Sequence, residues 1–398
     1  AARPRAPGRS GGGPDAARRV RAGSPGRGRG VEVRVVIAAG GTAGHVFPAL
    51  ALARHLRAGG AEVGFAGTAG GPEARVARAE GFGFTAVHAR PFPRKWSTEA
   101  LRAPLAAAQG VRACRPLVER ADVVVGMGGY VSVPPVLAAL AARRPVVLHE
   151  QNAVAGLANR LFARWARGIG LSFAEAATRL PGRARAVVTG NPVREEIVAV
   201  RERRVDLADE ARAALGLEPE RRTVVVFGGS QGARRIDEAA AGAARLLGDR
   251  GDLQLLVLTG EAHRGMVEEA DGAGGRLLVR ALPFLDRMEL AYAAADLVVA
   301  RAGASSIAEI TVCGLPSILV PYPYATANHQ EANARAVERA GAAVVLRDVE
   351  LTPRVLGTRI AALLGDPATL ARMAERAAAW GKPDAAARVA ERVEEAAG

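Results

Sequence analysis

The chain has 398 residues, 49% of them hydrophobic, more than a single core usually supports and enough for two domains of ordinary size. A net charge of +14 points toward polyanions, but residues 1–30 hold eight arginines and one aspartate and so carry half of it; the remainder is not composed as a nucleic-acid-binding surface. The two cysteines, Cys114 and Cys313, are far apart and form no C-x-x-C, which suggests neither a zinc site nor a disulfide framework and agrees with a reducing compartment.

Residues 1–30 consist mainly of Arg, Gly, Pro and Ala, a composition that cannot bury enough apolar surface to fold, and the reading is a disordered basic tail without the apolar stretch of a signal peptide. A β-branched run at residues 35–37 then reads as a buried parallel strand. It leads through a turn, Gly40-Gly41-Thr42-Ala43-Gly44-His45, into an alanine-rich helical stretch. The glycines let backbone N–H groups approach an anion at the start of that helix. The turn has neither G-x-G-x-x-G nor G-x-x-x-x-G-K-[ST] spacing, which counts against hydride transfer and P-loop ATP chemistry.

Between residues 88 and 113, Phe92, Trp96 and Leu101 are interleaved with Arg90, Arg94 and Lys95. This is the pattern of a contact with an anionic membrane surface, and equally that of a loop and an amphipathic helix packed on their own sheet. The uncharged run 123–142 is long enough to cross a bilayer, yet Gly126, Gly128, Gly129, Pro134 and Pro135 divide it into a strand, a turn and a helix. A strand at residues 144–148 ends in His149-Glu150-Gln151-Asn152, four polar side chains where an α/β sheet presents its site. Residues 189–194, punctuated by Gly190 and Pro192, read as the crossing between domains, with Arg194 in reach of a phosphate.

The second half repeats the first. Residues 224–227 form a strand followed by Gly228-Gly229-Ser230-Gln231-Gly232-Ala233, and the Ala121-Asp122 strand start recurs as Ala295-Asp296. The fold class that follows is α/β, two Rossmann-like doubly wound domains facing a cleft. Immediately after the second such strand comes Arg301-Ala302-Gly303-Ala304-Ser305-Ser306-Ile307-Ala308-Glu309. Glu309, early in the next helix, can accept two hydrogen bonds from a ribose diol, or merely complement the helix N-terminus. No D-x-D occurs, and no metal is expected.

Taken in order, segments 40–53, 127–135, 149–160, 189–194, 227–233, 301–310 and 328–334 resemble the MurG-type peptidoglycan glycosyltransferases over residues 31–398. The resemblance implies the GT-B plan, with an acceptor and membrane-side domain at 31–194, a UDP-sugar domain at 195–381, and a helix at 382–398 returning to the first domain. It implies an inverting transfer of N-acetylglucosamine from UDP-N-acetylglucosamine to the 4-hydroxyl of undecaprenyl-diphospho-N-acetylmuramoyl-pentapeptide, without a cofactor, by a peripheral protein on the cytoplasmic face of the cell membrane. Motif by motif, the substrate contacts it implies are Thr42, Ala43, Gly44, Asn152, Arg194, Ser230, Leu285 (framing the uracil through its backbone), Ala304, Ser305, Ser306, Ile307, Ala308, Glu309 and Gln330. His45 is the first candidate for the general base and Glu150 the second. Ala43 stands where some members carry glycine, and residues 324–329 differ from members with a charged loop. A UDP-N-acetylglucosamine 2-epimerase, or a GT-B transferase acting on another lipid, shares the two-domain plan.

Overall fold

The computed structural model describes residues 33–87, 89, 98–181, 185–229, 233–271 and 275–398. The predicted tail, the turn residues Ser230, Gln231 and Gly232, and the aromatic and basic residues at 90–97 lie outside this set. The described residues form two all-parallel sheets. In the first, β1 (Arg34–Ala38), β2 (Glu62–Gly67), β3 (Gly83–Ala86), β4 (Val123–Gly126), β5 (Val146–Glu150), β6 (Gly168–Leu171) and β7 (Ala186–Val188) lie in the order 3-2-1-4-5-6-7. In the second, β8 (Arg222–Phe227), β9 (Leu253–Leu258), β10 (Leu278–Leu282), β11 (Leu297–Arg301), β12 (Ser317–Val320) and β13 (Ala343–Val345) lie in the order 10-9-8-11-12-13. Counted from its own first strand, the second sheet has the order of the first six strands of the first, the doubly wound arrangement with a topological switch between strands 1 and 4.

The repeated Ala-Asp has a structural cause. Asp122 Oδ2 accepts from the Arg34 N–H at the start of β1, and Asp296 Oδ2 accepts from the Thr223 N–H of β8, each at 2.8 Å. One short side chain thereby satisfies a backbone donor at the start of the neighbouring strand in both halves. The run 123–142 contains β4 and the helix Val133–Ala141, and no helix among the described residues is long and apolar enough to cross a membrane.

The central strands of each sheet are buried on both faces, which is why they are runs of mainly Val, Leu, Ile and Ala rather than alternating. On one face of the first sheet, Val35, Ile37, Val123 and Val125 pack against Leu52 and Leu56, and against Val389, Ala390 and Val393 of the C-terminal helix Ala385–Ala397. The chain thus returns across the second sheet to close the core of the first. The segment after β7 joins the opposite core: Val193, Ile197 and Val200 are buried with Val298, Ile310 and Leu315. At this crossing Phe173 meets Trp380, ring centroids 5.3 Å apart.

Candidate functional site

A cavity of about 850 Å³ opens at the carboxyl ends of β1, β5, β8 and β11. Strand-to-helix turns build its walls. The first runs from β1 into the helix Ala43–Ala58, where Gly41 has φ +88°, a conformation costly for a residue with a side chain. After β8, Gly228 and Ala233 lie so close together that a Cβ on Gly228 would be 2.1 Å from the Ala233 Cβ. The helices Ala43–Ala58, Arg234–Leu246 and Ala304–Val312 all begin at the cavity, and their free N–H groups give it a positive character suited to a phosphate-bearing ligand.

Most of the residues singled out in the sequence converge here. Thr42, Gly44, His45, Asn152, Arg194, Leu285, Ala304, Ser305, Ser306, Glu309 and Gln330 line the cavity, and Ala43 is the first residue of its helix at the same turn. Ser230 lies outside the described residues. Two expected contacts and one expected base do not line it. Ile307 and Ala308 fall on the inward face of their helix: Ile307 is packed in the core, and Ala308 borders a separate small void with Trp380.

Glu150 is the third. Its Oε1 accepts from Asn152 N at 3.0 Å, while Oε2 accepts from Gly156 N at 2.8 Å and Asn159 Nδ2 at 2.9 Å. Burial raises its proton affinity and these bonds oppose the rise. Both oxygens hold the loop that carries Asn152, and Glu150 is not among the side chains that line the cavity.

His45 is held on the cavity wall with its ring against Gly128 and Gly129, where added Cβ atoms would approach it to 3.6 and 3.4 Å. Burial pushes its pKa below the usual histidine value, partly offset by the Gln151 side chain, so the imidazole is neutral at pH 7. His45 Nδ1 and Gln151 Nε2 are buried without a hydrogen-bond partner among the described residues. Polar atoms left in that state mark a place where a ligand completes the network.

On the opposite wall Glu309 Oε2 accepts a 2.8 Å hydrogen bond from the Tyr292 hydroxyl, and Oε1 lies 3.9 Å from Arg194 Nη2. Burial raises the carboxyl pKa, against the Arg194 charge and the Tyr292 bond. Arg194 also stacks over Phe47, its guanidinium carbon 4.8 Å from the ring centre, and so links the first helix to the wall that carries Glu309.

Several cavity residues had no individual role in the sequence reading. Asp348 bridges Arg301, at 2.6 Å, and Arg235, at 3.2 Å, on a lining that also includes Tyr322. Among the hydrogen bonds that cross between the lobes, Ser305 Oγ donates to the Gly44 carbonyl at 3.0 Å, and Asn333 Nδ2 donates to Asn152 Oδ1 at 3.1 Å. Asn333 lies within the quoted 328–334 segment, so a signal existed. Tyr292 sits 17 positions from Glu309 in an alanine-rich stretch, and nothing in its spacing announces the pairing.

The fold and its inter-lobe cavity define a GT-B glycosyltransferase, with residues 35–171 matching the glycosyltransferase family 28 N-terminal domain and residues 223–389 the glycosyltransferase family 28 C-terminal domain. A protein of Halothermothrix orenii named UDP-N-acetylglucosamine--N-acetylmuramyl-(pentapeptide) pyrophosphoryl-undecaprenol N-acetylglucosamine transferase is 42% identical over 360 residues, covering 88% of this chain and 95% of the relative. The chain belongs to that family of N-acetylglucosamine transferases. Among solved structures, MurG of Acinetobacter baumannii aligns with a TM-score of 0.72 at 28% identity, over 91% of this chain and 99% of that one. A UDP-GlcNAc 2-epimerase of Neisseria meningitidis bound to UDP-GlcNAc aligns at 0.66 over 92% of this chain and all of that one, but at 12% identity this shows the shared fold alone.

Proposed function

We propose that the protein transfers N-acetylglucosamine from UDP-N-acetylglucosamine to the 4-hydroxyl of a lipid-linked N-acetylmuramoyl-pentapeptide, with inversion at the anomeric carbon. The observation that carries this reading is one cavity faced by His45 from the first lobe and Glu309 from the second, at the switch points of two doubly wound sheets. Glu309 accepts from the ribose hydroxyls, Leu285 frames the uracil, and the N-termini of the helices Ala304–Val312 and Arg234–Leu246 receive the diphosphate.

The acceptor oxygen attacks the anomeric carbon as the bond from that carbon to the β-phosphate oxygen breaks, and its proton passes to the neutral His45 imidazole. UDP leaves with the bonding electron pair. The developing charge is met by main-chain N–H groups at the two helix starts and by Arg194, fixed in advance by Phe47 and Glu309.

The acceptor's lipid calls for a membrane-facing surface on the first lobe. Leu157, Leu161 and Trp165, on the helix Leu157–Phe162 and the turn that follows it, are 66%, 49% and 51% exposed and flanked by the exposed Arg160, Arg164 and Arg167. Apolar side chains among cations fit the anionic surface of a bilayer, with the protein peripheral to its cytoplasmic face.

The test is incubation with labelled UDP-N-acetylglucosamine with and without lipid-linked muramoyl-pentapeptide. Label is expected in lipid only when that acceptor is present; label in diacylglycerol, or free epimer formed without acceptor, refutes the reading.

A further inference from the structure

Tyr292 belongs to the helix Met288–Ala294 and is fully buried, yet it borders the cavity beside Glu309. A buried phenol needs a partner for its hydroxyl. Here the partner is Glu309 Oε2, at 2.8 Å, while the ring is held edge-on against Phe227 at the end of β8, centroids 6.2 Å apart. The phenol is thus fixed by the sheet itself, and it fixes one of the two carboxylate oxygens. The other, Oε1, faces Arg194 at 3.9 Å, too long for a direct hydrogen bond.

We infer that Tyr292 is a positioning residue for nucleotide recognition: its hydroxyl pins Glu309 Oε2 so that the carboxylate presents its remaining lone pairs to the 2′- and 3′-hydroxyls of a bound uridine diphosphate. The inference rests on the ribose role given to Glu309 above. A carboxylate offers about four acceptor sites. The phenol occupies one, and a ribose diol takes two more without displacing it.

The same bond keeps the group charged. Burial favours the neutral acid, Arg194 and Tyr292 oppose it, Glu196 adds to it, and the Cys313 thiol one turn along the helix is itself held neutral by burial. Removing the phenol hydroxyl leaves Glu309 freer to rotate and easier to protonate, and a protonated oxygen no longer accepts.

The experiment compares the binding of UDP and 2′-deoxy-UDP by calorimetry from pH 5 to 8 in the wild type, Tyr292→Phe and Glu309→Gln. The wild type prefers UDP, with affinity falling toward acid pH. Tyr292→Phe, which retains the ring and its Phe227 contact, loses UDP affinity by about tenfold, loses less of the 2′-deoxy-UDP affinity because only the 3′-hydroxyl bond is at stake there, and moves the acid fall to higher pH. Glu309→Gln leaves only the fall that protonation of the UDP terminal phosphate at about pH 6 produces. Replacing Tyr292 with 3-fluorotyrosine, a stronger donor of the same shape, moves the wild-type fall to lower pH. A wild type indifferent to the 2′-hydroxyl removes the ribose role, and this inference with it. A wild type that discriminates, with Tyr292→Phe keeping both the preference and the pH midpoint, overturns the positioning role alone.

Discussion

Asn333 offers the sharpest test of how the two lobes are joined. It is fully buried, its Oδ1 accepts from Ala153 N at 2.8 Å, and its Nδ2 donates to Asn152 Oδ1 at 3.1 Å and to the Ala302 carbonyl at 3.2 Å. Asn333→Ala removes all three bonds and strands the Ala153 N–H and the Ala302 carbonyl, both in buried residues. Each orphan costs about 1–3 kcal/mol, and water entering the vacated polar space recovers part of it, leaving about 3 kcal/mol. At about 2–4 °C per kcal/mol for a lobe of this size, the melting temperature falls by on the order of 6–12 °C.

Asn333→Asp discriminates between causes because it preserves volume and the Oδ1 acceptor while replacing the donor by a second acceptor. Asn152 can turn its amide to suit, but the Ala302 carbonyl cannot, so the aspartate variant loses at least as much stability as the alanine variant. The assay is thermal unfolding by intrinsic fluorescence, paired with steady-state transfer, in which kcat falls because Asn152 is no longer held on the cavity wall. An Asn333→Asp variant as stable and as active as the wild type refutes the assigned network.

His45→Ala lowers kcat by about 10²–10⁴, and because burial depresses the His45 pKa, the wild-type acid limb lies below pH 6.5 and disappears in the variant; a pH–rate profile checks both. His149, bonded through Nε2 to the Gly190 carbonyl, has its pKa pushed down to about 4 by burial. A histidine depressed in the folded state contributes its full stability above the unfolded value near 6.5 and loses it as pH falls toward 4. The loss is about 3 kcal/mol, so urea midpoints measured from pH 7.5 to 4.5 decline less in His149→Gln than in the wild type. Joint replacement of Leu161 and Trp165 by serine removes about 2 kcal/mol of apolar burial at a membrane, more than tenfold in partition onto anionic vesicles by sedimentation, while UDP affinity is unchanged.

Much of the cleft was legible in the amino-acid order because its determinants are local. A β-branched run, a glycine turn and a small-residue helix start specify a strand ending at an anion-binding N-terminus wherever they occur, and their recurrence after β1 and β8 specified two such lobes. The polar quartet at the carboxyl end of β5 and the placement of Glu309 early in its helix were readable for the same reason.

Burial and partnership were not readable, since they depend on which face of an element meets another chain segment. Within the run 304–309, helical geometry turns Ile307 and Ala308 inward and Glu309 toward the cavity. Glu150 and His45 both look like bases in a list of polar residues. Only packing gives one three hydrogen-bond donors from its own loop and leaves the other a ring nitrogen without a partner. Tyr292 on Glu309 and Asn333 on Asn152 are pairings made by the approach of separate elements, and the sequence by itself holds no term for that distance.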